Sequence, residues 1–386
     1  MGSREYNWQS TNALEINKER YGKSKVVGNL LAGLVSRTVS FRQYSLRGGQ
    51  MDAQTSGIYE PAWPAKSADS NPYREPFEVP HYHSRFGGLW TDLSNAKEIA
   101  EGKLTTGLLN DEEFEQVSFW IEKGYVIIKG AVSKDWIDEL NNDLDRIWLE
   151  GHEMAWVSAI EDGRGVTRRL KQDDVHKVDN LLKLVDIYEY LESARRVSLA
   201  PAILRFMEIV FERPPLAHQS LSFNCGSKQP MHQDTAFVRV SSPMELTASW
   251  IALEDISPNT GELQYYEGSH RFDEFLFDGE CKCIPPGNTE LGNFYAHLES
   301  EASKRHLVPV KFYPKKGDAL IWSADLAHGG SDYTDDTKTR KSLVTHYCPI
   351  NCHPMYFHYG AHTGKRPWGN RAWWCAMKKE FWQAGA

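Results

Sequence analysis

The chain has 386 residues, 41 % of them hydrophobic and 12 % aromatic. That is enough apolar mass for a large folded core, which excludes a disordered chain. A formal net charge of −8 and a pI near 6.0 leave no electrostatic footprint for nucleic acid. The apolar run near the start, 26–35, is too short to span a bilayer and is broken by Asn29. Neither a nucleic acid nor a membrane is therefore an expected partner. The opening residues carry no signal-peptide pattern, and Cys225, Cys281, Cys283, Cys348, Cys352 and Cys375 lack paired zinc spacing. Both features fit reduced thiols in a cytoplasmic protein.

Residues 1–108 show little sustained periodicity and read as an irregular N-terminal extension packing on the core. Within the first fifty residues, eight Lys/Arg stand against three Asp/Glu. Pro61, Pro64, Pro72, Pro76 and Pro80 make the following stretch extended and turn-rich. His81 and His83 have a metal-like spacing, but no carboxylate follows at a useful place, so they read as surface or packing residues. Regular structure is expected from Asn110. Phe114, Val117 and Ile121 share one face of a helix that Gly124 can end. Tyr125 to Lys129 reads as a buried strand. Ser133 can cap a second helix with the stripe Ile137, Leu140, Leu144 and Ile147. Further helices are expected over about 178–191 and from Pro201 to the Pro214–Pro215 pair. Arg168, Arg169 and Lys171 fall in an intervening loop and read as a solvated face.

From Leu216 the pattern changes to short strand-like runs at 216–224, 236–240, 246–253, 262–266, 307–313, 318–323 and 340–347. Gly, Pro and Asn turns separate them, as in a sandwich or jelly roll. The expected organisation is one domain over 109–360, mainly β with flanking helices (α+β). An aromatic-rich tail follows over 361–386, with an amphipathic helix over 371–383.

The chemistry gathers on the strand-rich half. His232 and Asp234, two apart on extended chain, point to one face and can share a metal. His328 is the candidate third ligand. Two His and one carboxylate on one face of a metal, with the other positions open, suit a non-haem Fe(II) oxygenase. Arg340 opens the strand that follows. Inside a barrel it needs an anion, either a protein carboxylate or the far carboxylate of a dicarboxylate co-substrate. Ser342 shares its face and can add a hydroxyl contact. His346 lies on that face too and reads as a packed core histidine, while His270 reads as bonding backbone in its Gly-Ser-His turn.

Taken in order, these residues resemble the phytanoyl-CoA dioxygenase family of Fe(II)/2-oxoglutarate oxygenases. The resemblance covers about 110 to 350. It is carried by the entry from Phe114 to Leu144, then His232-Gln-Asp234, Trp250 to Asp255, and Asn259-Thr-Gly-Glu-Leu263. Glu267-Gly-Ser-His270, Gly317-Asp318, His328-Gly329 and Arg340-Lys-Ser342 complete it. Glu267 departs from the family's usual Pro. The resemblance implies a double-stranded β-helix (jelly roll, cupin-like), with Fe(II) on His232, Asp234 and His328. It implies 2-oxoglutarate anchored by Arg340, with Trp250 near the co-substrate, and O2 as the oxidant. The family's halogenases lack the metal carboxylate, so Asp234 points to hydroxylation, with release of succinate and CO2. The alternatives from the residues alone are a cupin-like metal-binding protein without catalysis, or a metal-dependent hydrolase or isomerase on the same three residues.

Overall fold

The computed structural model describes residues 80–161, 164–175, 182–285, 287–335, 337–355 and 362–377. The 26–35 run and the prolines before Pro80 lie outside the described residues.

The chain enters through helices whose ends are written in the sequence. Helix α1 spans Ala96–Thr105 and α2 spans Asp111–Lys123. Asn110 caps α2 reciprocally: its Oδ1 accepts from Glu113 N at 2.9 Å, and Glu113 Oε2 accepts from Asn110 N at 3.1 Å. A left-handed Gly124 closes the helix, its N–H donating to Trp120 O. Strand β1 (Tyr125–Ile128) follows, then α3 (Lys134–Glu150), capped by Ser133. The α3 residues Ile137, Leu140, Leu144 and Ile147 are all buried. Helices α4 (Glu192–Ser198) and α5 (Pro201–Phe211) complete this layer, with Pro201 in the first turn of α5. Leu140 is fully buried in the largest apolar cluster. Leu140→Ala is therefore expected to cost about 2–5 kcal/mol, read as a lower urea midpoint at unchanged slope.

Two sheets form the jelly roll. The ten-stranded sheet runs β1-β9-β6-β11-β5-β4-β2-β3. Its members are β2 (Trp156–Glu161), β3 (Arg164–Arg169), β4 (Lys183–Val185), β5 (Pro215–Phe223), β6 (Thr247–Ala252), β9 (Ala319–Ser323) and β11 (Ser342–Pro349). The hairpin β12 (His362–Trp368) and β13 (Ala372–Met377) joins along β5. The smaller sheet orders β10 (His328–Gly330), β7 (Leu263–Tyr265) and β8 (Val310–Lys311). Between β7 and β8 lies α6 (Leu291–Lys304).

The central strands are apolar on both faces, and the period of two sorts them. Ile251, Ala319, Ile321 and Leu343 pack outward in the cluster that holds the helices. Their neighbours Trp250, Leu320, Trp322 and Val344 point inward with Leu263 and Tyr265 of the smaller sheet. The inward rows run across the sheet in register: Lys183–Phe223–Ser342, Leu221–Val344–Trp250 and Gln219–His346–Ala248–Trp322.

Several expectations are corrected. Regular structure begins before Asn110: Leu89 and Trp90 are already core, and α1 packs on α2. The helix expected over 178–191 is the strand β4 and a 3-10 turn at Ile187–Glu189, with 178–181 outside the described residues. A short apolar run does not separate strand from helix by period alone, and here β5 offers an edge to pair with. Arg168 and Arg169, expected in a loop, end β3, which pairs antiparallel with β2. At 236–240 the chain makes the turn Asp234–Ala236 and one isolated bridge from Val240 to Pro354. The tail helix expected over 371–383 is β13 as far as Met377, with 378–383 outside the described residues. Trp373 and Trp374 pair in parallel with Leu216 and Ala217. The Trp374 ring is buried against Tyr188, with Arg195 and Arg366 over it.

Candidate metal centre

His232, Asp234 and His328 converge from two separate stretches of chain. The backbones of His232 and His328 pair in both directions, His232 N to His328 O at 2.8 Å and His328 N to His232 O at 2.9 Å. This bridge extends the smaller sheet and sets the two imidazoles side by side, 4.4 Å between centroids. Each Nδ1 donates to a carbonyl, Pro230 O and Leu326 O, both at 2.9 Å. That fixes the tautomer and turns each Nε2 lone pair inward, where that of His232 accepts from Gln229 Nε2 at 3.0 Å. The two Nε2 atoms lie 3.8 and 3.7 Å from Asp234 Oδ1. One ligand atom from each residue falls within 4.8 Å of the others, and no other such group occurs among the described residues.

The second Asp234 oxygen is held. Oδ2 accepts from the Trp322 indole N–H at 2.6 Å, and His346 Nε2 stands 3.3 Å away. His346 thus touches the carboxylate rather than merely filling the core. Burial pushes His232 down to about 3, and burial also lowers His328. Burial alone would raise Asp234, but the surrounding imidazoles hold its carboxyl below the usual range. Neutral imidazoles beside an ionised carboxylate are the protonation states a divalent cation requires. The donor set fits Fe(II).

Gly329 is needed here for close approach. A Cβ on it would sit 2.7 Å from Gln229 O and 2.9 Å from Pro230 O, both backbone atoms of the loop leading to His232. Gly329→Ala is expected to spread the two ligand-bearing segments and weaken metal binding. A fluorescence-quench titration with Fe(II) under anaerobic conditions would show it as a raised dissociation constant.

A cavity of about 80 Å³ runs from these ligands towards Arg340, walled by Leu221, Phe237, Trp250 and Val344. Arg340 is 3 % exposed. Its guanidinium lies between the rings of Phe223 (5.3 Å) and Trp250 (5.5 Å). Nη2 donates to Cys225 O at 3.3 Å, and Nε has no partner. No carboxylate among the described residues pairs with it, so the protein ion pair considered from sequence is absent there. Burial lowers Arg340 to about 10, so it remains charged at neutral pH. Glu254 fixes the start of its strand, accepting from Lys341 N and Thr339 Oγ1. Ser342 Oγ is buried and also unpartnered.

Sequence reading missed Lys183. It sits in the same row as Phe223 and Ser342, with its ammonium 5.3 Å from the Phe223 ring. It pairs with no carboxylate among the described residues. Burial and the nearby Arg340 push it down to about 8. Lys183 and Arg340 thus stand at one phenyl ring with no carboxylate paired to either among the described residues, and of the two only Arg340 lines the cavity. The signal available was a lysine in an apolar run, legible only once β4 is known to be a strand.

Other candidates sit elsewhere. Arg168 pairs with Glu161 at 2.6 Å and with Asp174 at 2.5 Å, which satisfies it structurally. His83 Nε2 contacts Phe272 O at 3.1 Å, and His270 Nε2 contacts Ile121 O at 3.3 Å. Ser269 of the Gly-Ser-His turn accepts from Ala327 N at 2.7 Å, bracing the residue before His328. Glu267 accepts from the Tyr125 hydroxyl at 2.5 Å.

A jelly roll with this ligand set, and an unpaired arginine leading into β11, defines a metal-dependent oxygenase of the Fe(II)/2-oxoglutarate class. The chain belongs to the phytanoyl-CoA dioxygenase (PhyH) family, whose sequence profile matches residues 120–342. That span includes His232, Asp234, His328, Trp250, Trp322 and Arg340, while Val344 and His346 lie just beyond it. Among curated relatives, the peroxisomal phytanoyl-CoA dioxygenase of Bos taurus is 26 % identical over 247 residues, 62 % of this chain and 69 % of the relative. The Homo sapiens enzyme is 24 % identical over 246 residues, with the same shares. Solved structures with some likeness include the epimerase SnoN in complex with Fe3+, α-ketoglutarate and nogalamycin RO. It shows a TM-score of 0.49 and 17 % identity, covering 68 % of this chain and 98 % of that one. EctD from S. alaskensis with 2-oxoglutarate and 5-hydroxyectoine gives a TM-score of 0.43 and 15 % identity, covering 63 % and 78 %. The cofactors of the family are Fe(II), 2-oxoglutarate and O2. No described helix is long and apolar enough to cross a membrane.

Proposed function

We propose that this protein is an Fe(II)/2-oxoglutarate-dependent hydroxylase acting on an unactivated C–H bond of a small organic substrate. His232, Asp234 and His328 hold the iron. Arg340 binds the far carboxylate of 2-oxoglutarate, with Lys183 and Ser342 completing the seat and Trp250 and Phe223 keeping the guanidinium in place. When bound, iron with 2-oxoglutarate and O2 supplies an oxidant able to break such a bond, releasing succinate and CO2. The chain's own part is to orient. The Nδ1–H contacts aim the imidazoles, Trp322 leaves one Asp234 oxygen for the metal, and the apolar walls exclude water. One observation carries the reading above all: a buried, charged Arg340 beside the metal ligands with no protein anion. A hydrolase or an inert binding protein on the same three residues needs no buried anchor for a dicarboxylate.

The test is anaerobic titration of the metal-free protein with Fe(II) and then 2-oxoglutarate, followed by visible absorbance. A weak charge-transfer band is expected only with both, and is lost in His232→Ala. Addition of O2 with candidate substrates should then give succinate and a product heavier by one oxygen atom. Tight metal binding without the band would overturn the class. The band with a product lacking the added oxygen would overturn hydroxylation alone.

A further inference from the structure

Neither Asp234 nor His328 stands on a long element. Asp234 begins a single 3-10 turn, and His328 opens a strand of three residues. Such positions need support from outside, and one buried residue supplies much of it. Asp325 precedes His328 by three residues and is 5 % exposed. Its Oδ1 accepts from Thr235 Oγ1 at 2.5 Å, and its backbone oxygen accepts from Gln233 Nε2 at 2.8 Å. Both neighbours of Asp234 are therefore tied to the segment that delivers His328.

The other Asp325 oxygen, Oδ2, pairs with Lys282. The Lys282 ammonium also reaches Glu274 Oε1 at 3.3 Å, and Glu274 accepts from Ser84 Oγ at 2.6 Å. Lys282 belongs to the excursion between β7 and α6, two residues from Ile284, whose N–H donates to Ala236 O at 3.0 Å. The excursion thus grips the Asp234 turn through backbone and the His328 segment through charge. A buried lysine among carboxylates is a poor source of stability compared with apolar packing. None of Lys282, Asp325 and Glu274 lines the cavity, so the chemistry does not use them directly.

We infer that Lys282 and Asp325 are positioning residues that pre-set Asp234 and His328 for the metal. This rests on the reading of His232, Asp234 and His328 as ligands. The network gives the 266–290 excursion a role in building the centre and not only in covering it.

The test uses Co(II) as a visible probe of the ligand set in the full chain, with thermal melting of the metal-free protein alongside. Lys282→Met and Asp325→Asn are expected to weaken Co(II) binding by about 10–100-fold, the range for outer ligand-orienting partners. Lys282→Arg is expected to recover most of the loss. Thr235→Val removes one hydroxyl and should fold, so it decides the matter if the charge variants do not. It is expected to weaken Co(II) binding and shift the d–d bands while the metal-free melting temperature stays near wild type. Wild-type Co(II) affinity and spectrum in folded Thr235→Val and Lys282→Met would overturn the inference. Wild-type Co(II) binding in His232→Ala would overturn the ligand reading itself, and the inference with it.

Discussion

Asp234→Ala is expected to abolish succinate formation, by at least ~100-fold, while leaving the metal-free protein folded. The magnitude follows from the geometry. Losing a residue that only orients a ligand typically costs about 10–100-fold in affinity or activity, and losing the ligand itself costs more. The two imidazoles that remain are neutral and supply no charge to a divalent cation. Trp322 Nε1 would lose its acceptor, since Asp234 Oδ2 is the atom it donates to at 2.6 Å. The effect on the empty fold is much smaller. The carboxylate is 4 % exposed and desolvated, so removing it relieves a burial cost that offsets the lost hydrogen bond. The measurement is paired: 2-oxoglutarate-dependent succinate release, and the thermal midpoint of protein stripped of metal. Turnover at the wild-type level would remove Asp234 from the ligand set. A collapse of the metal-free midpoint would make it a structural residue.

Sequence and structure agree where one local pattern suffices and part where pairing partners decide. The caps at Asn110 and Ser133 and the stripe on α3 involve residues within a turn or two of each other, so their chemistry is complete in the sequence. The ligand trio was legible for a related reason: an imidazole and a carboxylate two apart, then a distant His before two glycines, carry their chemistry in their residue types. The misses share a cause. Lys183 to Val185 and Trp373–Trp374 become strand only because β5 has edges to offer, and no local pattern displays that edge. Lys183 as a second cation, Trp322 as the hydrogen-bond donor to Asp234, and His346 beside that carboxylate all depend on which side of a distant strand faces inward. His346 is two residues beyond Val344 and so was placed on the correct face. Its 3.3 Å approach to Asp234 needed the register of β11 against β5 and β6.

Arg340→Met is expected to raise the KM for 2-oxoglutarate by about 30-fold or more, since truncating one member of a buried charge pair costs about 2–5 kcal/mol. Lys183→Met should act in the same direction and more weakly, because Lys183 is only partly buried while Arg340 is fully so, and its pKa, pushed down to about 8, places it nearer to losing its charge at neutral pH. The companion expectation separates this from a structural role. Were Arg340 half of a protein ion pair, removing it would strand a carboxylate and cost the fold about 3–5 kcal/mol. No such carboxylate is found among the described residues, and Nε is unsatisfied even within the fold. Arg340→Met should therefore leave the metal-free protein as stable as wild type or more stable, a methionine filling the slot between Phe223 and Trp250 without a desolvated charge. The same asymmetry implies that saturating 2-oxoglutarate stabilises wild type far more than the variant, because only the wild type gains a counter-ion on binding. A melting series with and without 2-oxoglutarate, using a redox-inert divalent metal in place of Fe(II), reads both halves of the argument. An unmoved KM, or a metal-free variant that melts well below wild type, would return Arg340 to the scaffold.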